Sequence, residues 1–551
     1  MEGKPFAVIE TDGHAGDAGT KTRLEAFLHC VHEDLAAGGA TAAPSSFKRI
    51  ELDTEGLPDI RRRKERVLVP RMGPGGETTA AALRGLGVAA ECLPMPDRDT
   101  VRIGRRHTSG KECVPMTITT GSLLQRIERD RDGDETFSFF MPNADGPCRF
   151  GVYNLLHKIT LERLGWKDRV RVWSPSSSGY FDGVPQGFAV LVFTGFMAAD
   201  LLLEALHHVR PAETRPGAAD RIYRRYQADL LEVLEREGRG DLSVSTALVQ
   251  VASGRLFSCA DLLRRAAADF AAVLGDKDLP TVLVVGEIYV RLDPFANDFI
   301  VDKLEQRGIR ARLAPFNEWI EYLDHINVRE GKKGGLGAHL SDFVRGHVQR
   351  VAYGLLAGPL GWPERTTVGQ TLAAAAPYLR QDLVGEAVLT VGGPVHEWRE
   401  GIIDGVVSVG PLECMPNKIA ETQFFHVAER EGLLSLTLPL NGDPIDPEVV
   451  DNYAFEVHTR FRKRRAEAEA RPAAQASLLA RSRQFLLGLG RAMTTDRRAA
   501  ASRAAAGAAG GAGGASGTNG TNGKNGKGRT VWLPVLGQDG RPRDDAGDRL
   551  P

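Results

Sequence analysis

The sequence predicts an α/β protein built from two doubly wound parallel-sheet domains with helices on both faces, followed by a disordered C-terminal tail. Three observations carry this. Short β-rich apolar runs alternate with helical patterns along most of the chain, which is the signature of parallel strands covered on both sides. Hydrophobic residues make up 42% and charged residues 26% of the 551 residues, an ordinary globular balance. Of the 30 residues from 499 to 528, ten are Gly and ten are Ala, a stretch too poor in apolar side chains to offset its own chain entropy.

The elements follow in order. Residues 1–60 form an N-terminal segment in which Asp12, His14 and Asp17 sit in a Gly-rich loop of unassigned role. The first α/β domain spans 61–278. It opens on Arg66-Val-Leu-Val-Pro70, read as a buried strand, then a Gly73-Pro-Gly-Gly76 turn and a helix over 78–86. Phe137 to Met141 is the next strand, and 184–208 and 262–274 carry helical spacing. The second α/β domain spans 279–455. It has strands over 281–285, 388–391 and 406–409, with a helix over 299–306 stopped by Gly308. A charged helical segment covers 456–496, and the Ala/Gly-rich tail covers 497–551.

Charge and cysteine usage narrow the function. Seventy Lys+Arg against 71 Asp+Glu leave a net charge of -1, so no global field exists for gripping nucleic acid. The N-terminus has no apolar core behind a basic start, and the apolar run 187–199 is shorter than the ~20 residues of a membrane span. A cytoplasmic protein with no membrane span is expected. Six cysteines are too few for a disulfide scaffold, so they are thiols, nucleophiles or metal ligands.

Cys113, Cys148 and Cys414 lie in Gly/Pro-punctuated loops. The loops carrying Cys148 and Cys414 directly follow expected strands, where open α/β sheets place their ligands. Cys30 and Cys259 sit on helical patterns and read as small core hydrophobes. Cys92 is a candidate fourth ligand, because Glu91-Cys-Leu-Pro94 repeats the Glu-Cys-x-Pro form found at Cys113 and Cys414. No Cys-x-x-Cys pair exists, which excludes a zinc ribbon or a ferredoxin-type run. Three soft thiolates with no companion His motif suit an iron–sulfur cluster better than catalytic zinc, although a structural zinc site stays open. His396, His426 and His458 have no ligand spacing and read as structural. His107, Lys111 and Glu287 are weak catalytic candidates: the first two flank Cys113, and Glu287 follows a strand directly.

The order of these motifs resembles a known family. Gly110-Lys-Glu-Cys113-Val-Pro115, Met141-Pro-Asn-Ala-Asp-Gly-Pro-Cys148-Arg-Phe-Gly151, Gly286-Glu-Ile-Tyr-Val-Arg291, Glu318-Trp319 and Ser408-Val-Gly-Pro-Leu-Glu-Cys414-Met-Pro416 are similar to segments of the acyl-CoA dehydratase activase-related proteins. That family is related to the 2-hydroxyacyl-CoA dehydratase subunits. The resemblance spans roughly residues 5–460. It implies a 4Fe-4S cluster on Cys113, Cys148 and Cys414, and low-potential electron transfer or radical dehydration or reduction of an acyl-CoA-like substrate. The electron would come from a separate ATPase activase, with a second dehydratase-like subunit as a further partner. The fused ATPase domain of the long family members has no room here, and Gly73–Gly76 lacks the Gly-Lys-Ser/Thr ending of a P-loop, so no ATP hydrolysis by this chain is expected. The rival reading is a non-catalytic scaffold or assembly component that keeps the fold.

Overall fold

In the computed structural model the described residues are 17–36, 56–110, 112–144, 148–175, 184–331, 336–412 and 414–470. Asp12, His14, Lys111 and the tail 497–551 lie outside them; Asp17 begins the helix Asp17–Ala36.

The chain is α/β, with two four-stranded sheets in which every pairing is parallel. The first contains β1 (Arg66–Val69), β2 (Ala90–Cys92), β3 (Phe137–Phe140) and β4 (Val170–Trp173) in the order β2-β1-β3-β4. The second contains β5 (Thr281–Gly286), β6 (Arg310–Leu313), β7 (Gly405–Pro411) and β8 (Ser435–Leu440) in the order β6-β5-β7-β8. The two orders are the same pattern used twice. In each, the chain leaves its first strand to one side, returns, and continues on the other. This creates a switch point between β1 and β3, and another between β5 and β7, where adjacent loops diverge and leave a crevice.

Burial on both faces explains the central strands. Val67, Leu68, Phe137, Phe139, Val282, Val284, Val406 and Val407 are all inaccessible or nearly so, as expected for strands that read as continuous apolar runs. The long helix Gln186–Val209 is apolar and long enough to cross a membrane. It is mostly buried, and its Leu191, Leu202 and Ala205 pack in a core with Leu230, Leu263 and Phe270. The chain as far as Ala466 forms one compact unit containing both sheets. A second unit begins at Glu467, and only its first residues fall among those described. The helix Pro447–Ala470 begins before residue 456 and buries Val450, Tyr453 and Val457 beside the second sheet.

Two sequence expectations need correction. Val388–Val391 is not a strand but the first turn of the helix Ala387–Arg399. Its Val, Leu and Thr side chains are buried on every side, so the helix has no polar stripe by which its 3.6-residue period could be seen. Cys30 is exposed on its helix, whereas Cys259 is fully buried.

The carboxyl ends of the two sheets meet. A methyl built on Gly73, just after β1, would lie 2.8 Å from the Leu292 carbonyl oxygen of the segment after β5. Gly73–Gly76 is not a separate turn ahead of the helix but the first turn of the helix Gly73–Gly85; it is packed against protein, and Gly76 lies hard against Cys92.

Candidate active site

The site grows from loops at these facing strand ends. β3 leads into the Cys148 loop, β5 into Glu287, and β7 into the Cys414 loop. Cys148 and Cys414 therefore occupy corresponding places in the two sheets. Cys113 arrives by a different route, at the start of the helix Val114–Glu128 between β2 and β3.

Each of the three cysteines is the N-cap residue of a helix. Cys113 caps Val114–Glu128, Cys148 caps the 3-10 turn Arg149–Val152, and Cys414 caps Met415–Glu431. All three have extended backbone, with φ between -69 and -66. The Cys-x-Pro spelling of Cys113 and Cys414 sets this up, because Pro115 and Pro416 fall in the first turn, where a missing N–H costs nothing. Cys92 has the same spelling but ends β2 instead.

Helix N-termini carry unpaired N–H groups and partial positive charge, which favour a thiolate. None of the three sulfurs makes a cap hydrogen bond of regular geometry. The first-turn amides of Met116, Phe150 and Asn417 nonetheless face Cys113, Cys148 and Cys414 closely enough to pull their pKa values down. Burial opposes this and wins. It raises all three thiols, Cys148 to about 11. Cys148 is exposed as a residue, yet desolvation is the largest influence on its thiol.

The charges also show which groups are neighbours. Cys113 raises Cys148, and Cys148 raises Cys414. Glu287 raises all three thiols, and Glu386 raises Cys148 and Cys414. The Tyr153 hydroxyl contacts the Cys113 sulfur directly and feels Cys148 and Glu287 as well. The three cysteines, 35 and 266 residues apart in sequence, thus lie near enough to Glu287, and by pairs to one another, to feel each other's charge, with Tyr153 in contact with Cys113. Among the described residues, no three His, Cys, Asp or Glu are drawn closed around a single ion, so the thiols are neighbours rather than a finished coordination sphere.

Cys92 does not join them. Its neighbours are Arg71, Glu77, Asp293 and Arg84, and burial pushes its thiol up to about 12. His107 is exposed at the end of its helix. His458 Nε2 donates a hydrogen bond to the Arg307 carbonyl at 2.8 Å, a structural contact.

Glu287 sits where it does because Gly286 precedes it. Gly286 has φ +114, and a methyl there would lie 1.9 Å from the Val409 carbonyl oxygen, so no other residue can end β5 this way. The Glu287 carboxylate accepts the Tyr289 and Val290 amides at 3.1 and 2.9 Å. Glu386, at the start of Ala387–Arg399, is pushed up to about 8 by burial and then by Glu287. Burial likewise raises Glu287.

One cation serves several of these acids. Arg291 is 5% exposed and lowers Glu287, Glu386, Glu318 and Asp200. Burial overrides it, lifting Glu318 and Asp200 to about 7. Asp200 accepts the Asn317 backbone and side-chain N–H groups at 3.0 and 2.6 Å. The acids around Arg291 are therefore inclined to hold protons near neutral pH. Sequence reading found Glu287 but missed Glu386, Asp200 and Tyr153. Tyr153 follows Cys148 by five residues and Glu318 lies in a quoted motif, whereas Glu386 and Asp200 carry no local signal, because only tertiary packing brings them here.

No family model matches the chain, and no curated protein matches it.

Proposed function

We propose that Cys113, Cys148 and Cys414 hold a 4Fe-4S cluster, and that the chain takes part in low-potential electron transfer or radical dehydration or reduction of an acyl-CoA-like substrate, fed by a separate ATPase activase. The observation that supports this reading is that three thiols, each capping its own helix, all feel the charge of the buried Glu287, with Cys148 feeling Cys113 and Cys414 feeling Cys148. The donor set suits the group: soft thiolates favour iron–sulfur chemistry, and three ligands leave one iron of a cube free of protein.

When bound, such a cluster supplies single electrons at a potential set by charge, hydrogen bonding and exposure. The chain's own residues supply the rest. The amides of Met116, Phe150 and Asn417 and the Tyr153 hydroxyl compensate charge on the sulfurs. Ligation requires thiolates, so the raised thiol pKa values mean that protons leave as the site fills. Glu386, poised at about 8, holds a proton beside the pocket at neutral pH, where a substrate gaining negative charge would need one. Buried acids around a single Arg291 favour charge-neutral over doubly anionic states.

The test is metal content. Protein purified without oxygen should be brown, with iron and acid-labile sulfide near about four each per chain. Cys148→Ser should abolish both and Cys259→Ser should preserve both; the opposite pattern refutes the ligand assignment. Colourless protein holding one zinc establishes the structural-zinc alternative. A cluster that never turns over with any ATPase partner leaves the scaffold reading in place.

A further inference from the structure

The helix Arg98–His107 carries a second feature that the thiol pocket does not use. Arg98, Arg102, Arg105 and Arg106 stand at i, i+4, i+7 and i+8, which places them along one helical face. They line a cavity of about 290 Å³ with Val101 and Gly442. Like charges at this spacing repel each other and weaken a helix, so the arrangement is unfavourable unless something neutralises it.

The chain neutralises it only in part. Arg102 pairs with Asp99 at 2.9 Å and Arg105 with Asp443 at 3.5 Å. Arg98 donates to the Gly442 carbonyl at 3.2 Å and Arg105 to the Asn441 carbonyl at 2.8 Å. These carbonyls orient two guanidinium groups without cancelling their charge. Arg106 makes no hydrogen bond or ion pair with any described residue. Four cations against two carboxylates leave the groove with an excess of positive charge, in a protein whose net charge is -1.

The groove is held rigidly. A methyl on Gly104 would fall 1.9 Å from the Thr117 carbonyl oxygen, and one on Gly121 would fall 2.0 Å from that of Thr100. The arginine helix and the Cys113 helix therefore cross in backbone contact. Gly442 closes the other side: a methyl there would be 3.5 Å from both Val101 and Val114, and Val114 follows Cys113 directly.

We infer that this groove binds the phosphates of a phosphorylated small molecule carrying a diphosphate or longer chain. Guanidinium groups match phosphate oxygens in a planar, bidentate fork. Arg98 to Arg106 covers eight residues, about 12 Å of helix axis, which exceeds a single phosphate and favours a ligand with several. The cavity is near the lower end of small-molecule pockets, roughly 300 Å³ and upward, and so fits the anionic portion of a ligand rather than all of one. Gly442 leaves no more than a methyl's space before Val101 and Val114, which sets this wall against the start of the Cys113 helix. The inference stands on charge and shape and does not require iron at the three cysteines.

The test is calorimetric titration of the full chain, as purified, with tripolyphosphate, pyrophosphate and inorganic phosphate at low salt. Saturable binding that strengthens from phosphate to tripolyphosphate is expected. Combining Arg102→Gln with Arg106→Gln should weaken it about tenfold or more, the loss of charge-assisted contacts. Both side chains are exposed and their mutual repulsion is relieved, so thermal melting should not fall and iron content should not change. Arg380→Gln, an exposed arginine outside the groove, should bind as the native chain does. No saturable binding, or equal binding by the double variant, overturns the proposal. Binding of a glutamate-rich peptide without tripolyphosphate binding also overturns it and assigns the groove to a protein partner instead.

Discussion

Substituting Gly104 by alanine tests the helix crossing on which Cys113 depends. The new methyl would stand 1.9 Å from the Thr117 carbonyl oxygen. Ordinary contact begins near 3.4 Å, so the helices must part by 1.5 Å or distort. Overpacking of this kind costs about 1–3 kcal/mol. Alanine's better helix propensity returns about 1 kcal/mol, leaving a net loss. Gly354→Ala is the matched control. Gly354 lies in the helix Leu336–Leu360, and a methyl there meets nothing within 4 Å. It should therefore stabilise by about 0.5–1 kcal/mol. Urea denaturation of both variants at unchanged slope gives opposite signs if the crossing is as close as described. A Gly104→Ala protein stabilised like Gly354→Ala would refute the reasoning, and with it the rigid link between the arginine helix and Cys113.

Other expectations follow from the buried charges. Asp200 has its carboxyl pushed from 3.8 to about 7, so the folded chain holds this proton more tightly than the unfolded one. That contribution is complete below about pH 4 and is lost as pH rises through 7, a swing of about 4 kcal/mol at most. Asp200→Asn should flatten the fall in stability between about pH 4 and 7; an unchanged pH slope would remove Asp200 from the account. Arg312 is bonded to Glu397 at 2.9 Å and lies 3.5 Å from Glu204. Glu397→Gln should cost about 3 kcal/mol by leaving a buried cation short of a partner, and Arg312→Met combined with Glu397→Gln should recover part of that loss in denaturant melts.

How much of this was legible depended on where each segment is buried. The interior strands β1, β3, β5 and β7 are covered on both faces and read directly as apolar runs. Two of the edge strands did not. β4 is Val-Arg-Val-Trp and β6 is Arg-Ala-Arg-Leu, with polar side chains that disguise a strand of four residues. The helix at Val388 failed for the opposite reason, being buried all round and tightened against its neighbour at Gly392, where a methyl would lie 2.1 Å from the Thr371 carbonyl oxygen. The three loop cysteines were visible because Gly and Pro mark helix starts. Cys92 shared the spelling but not the structure, since a proline two residues on is equally at home after a strand. The acids around Arg291 were invisible because burial, not spacing, defines them.

The repeated strand order has a consequence for biosynthesis. Two of the pocket's thiols come from the earlier sheet and its helices, and the last comes from beyond β7. A ribosome will have released Cys113 and Cys148 long before Cys414 emerges, so an incomplete polypeptide would lack one of the three proposed ligands. On the proposed ligation, only a chain with both layers made and docked would present the full trio, so a truncated product should contain no iron.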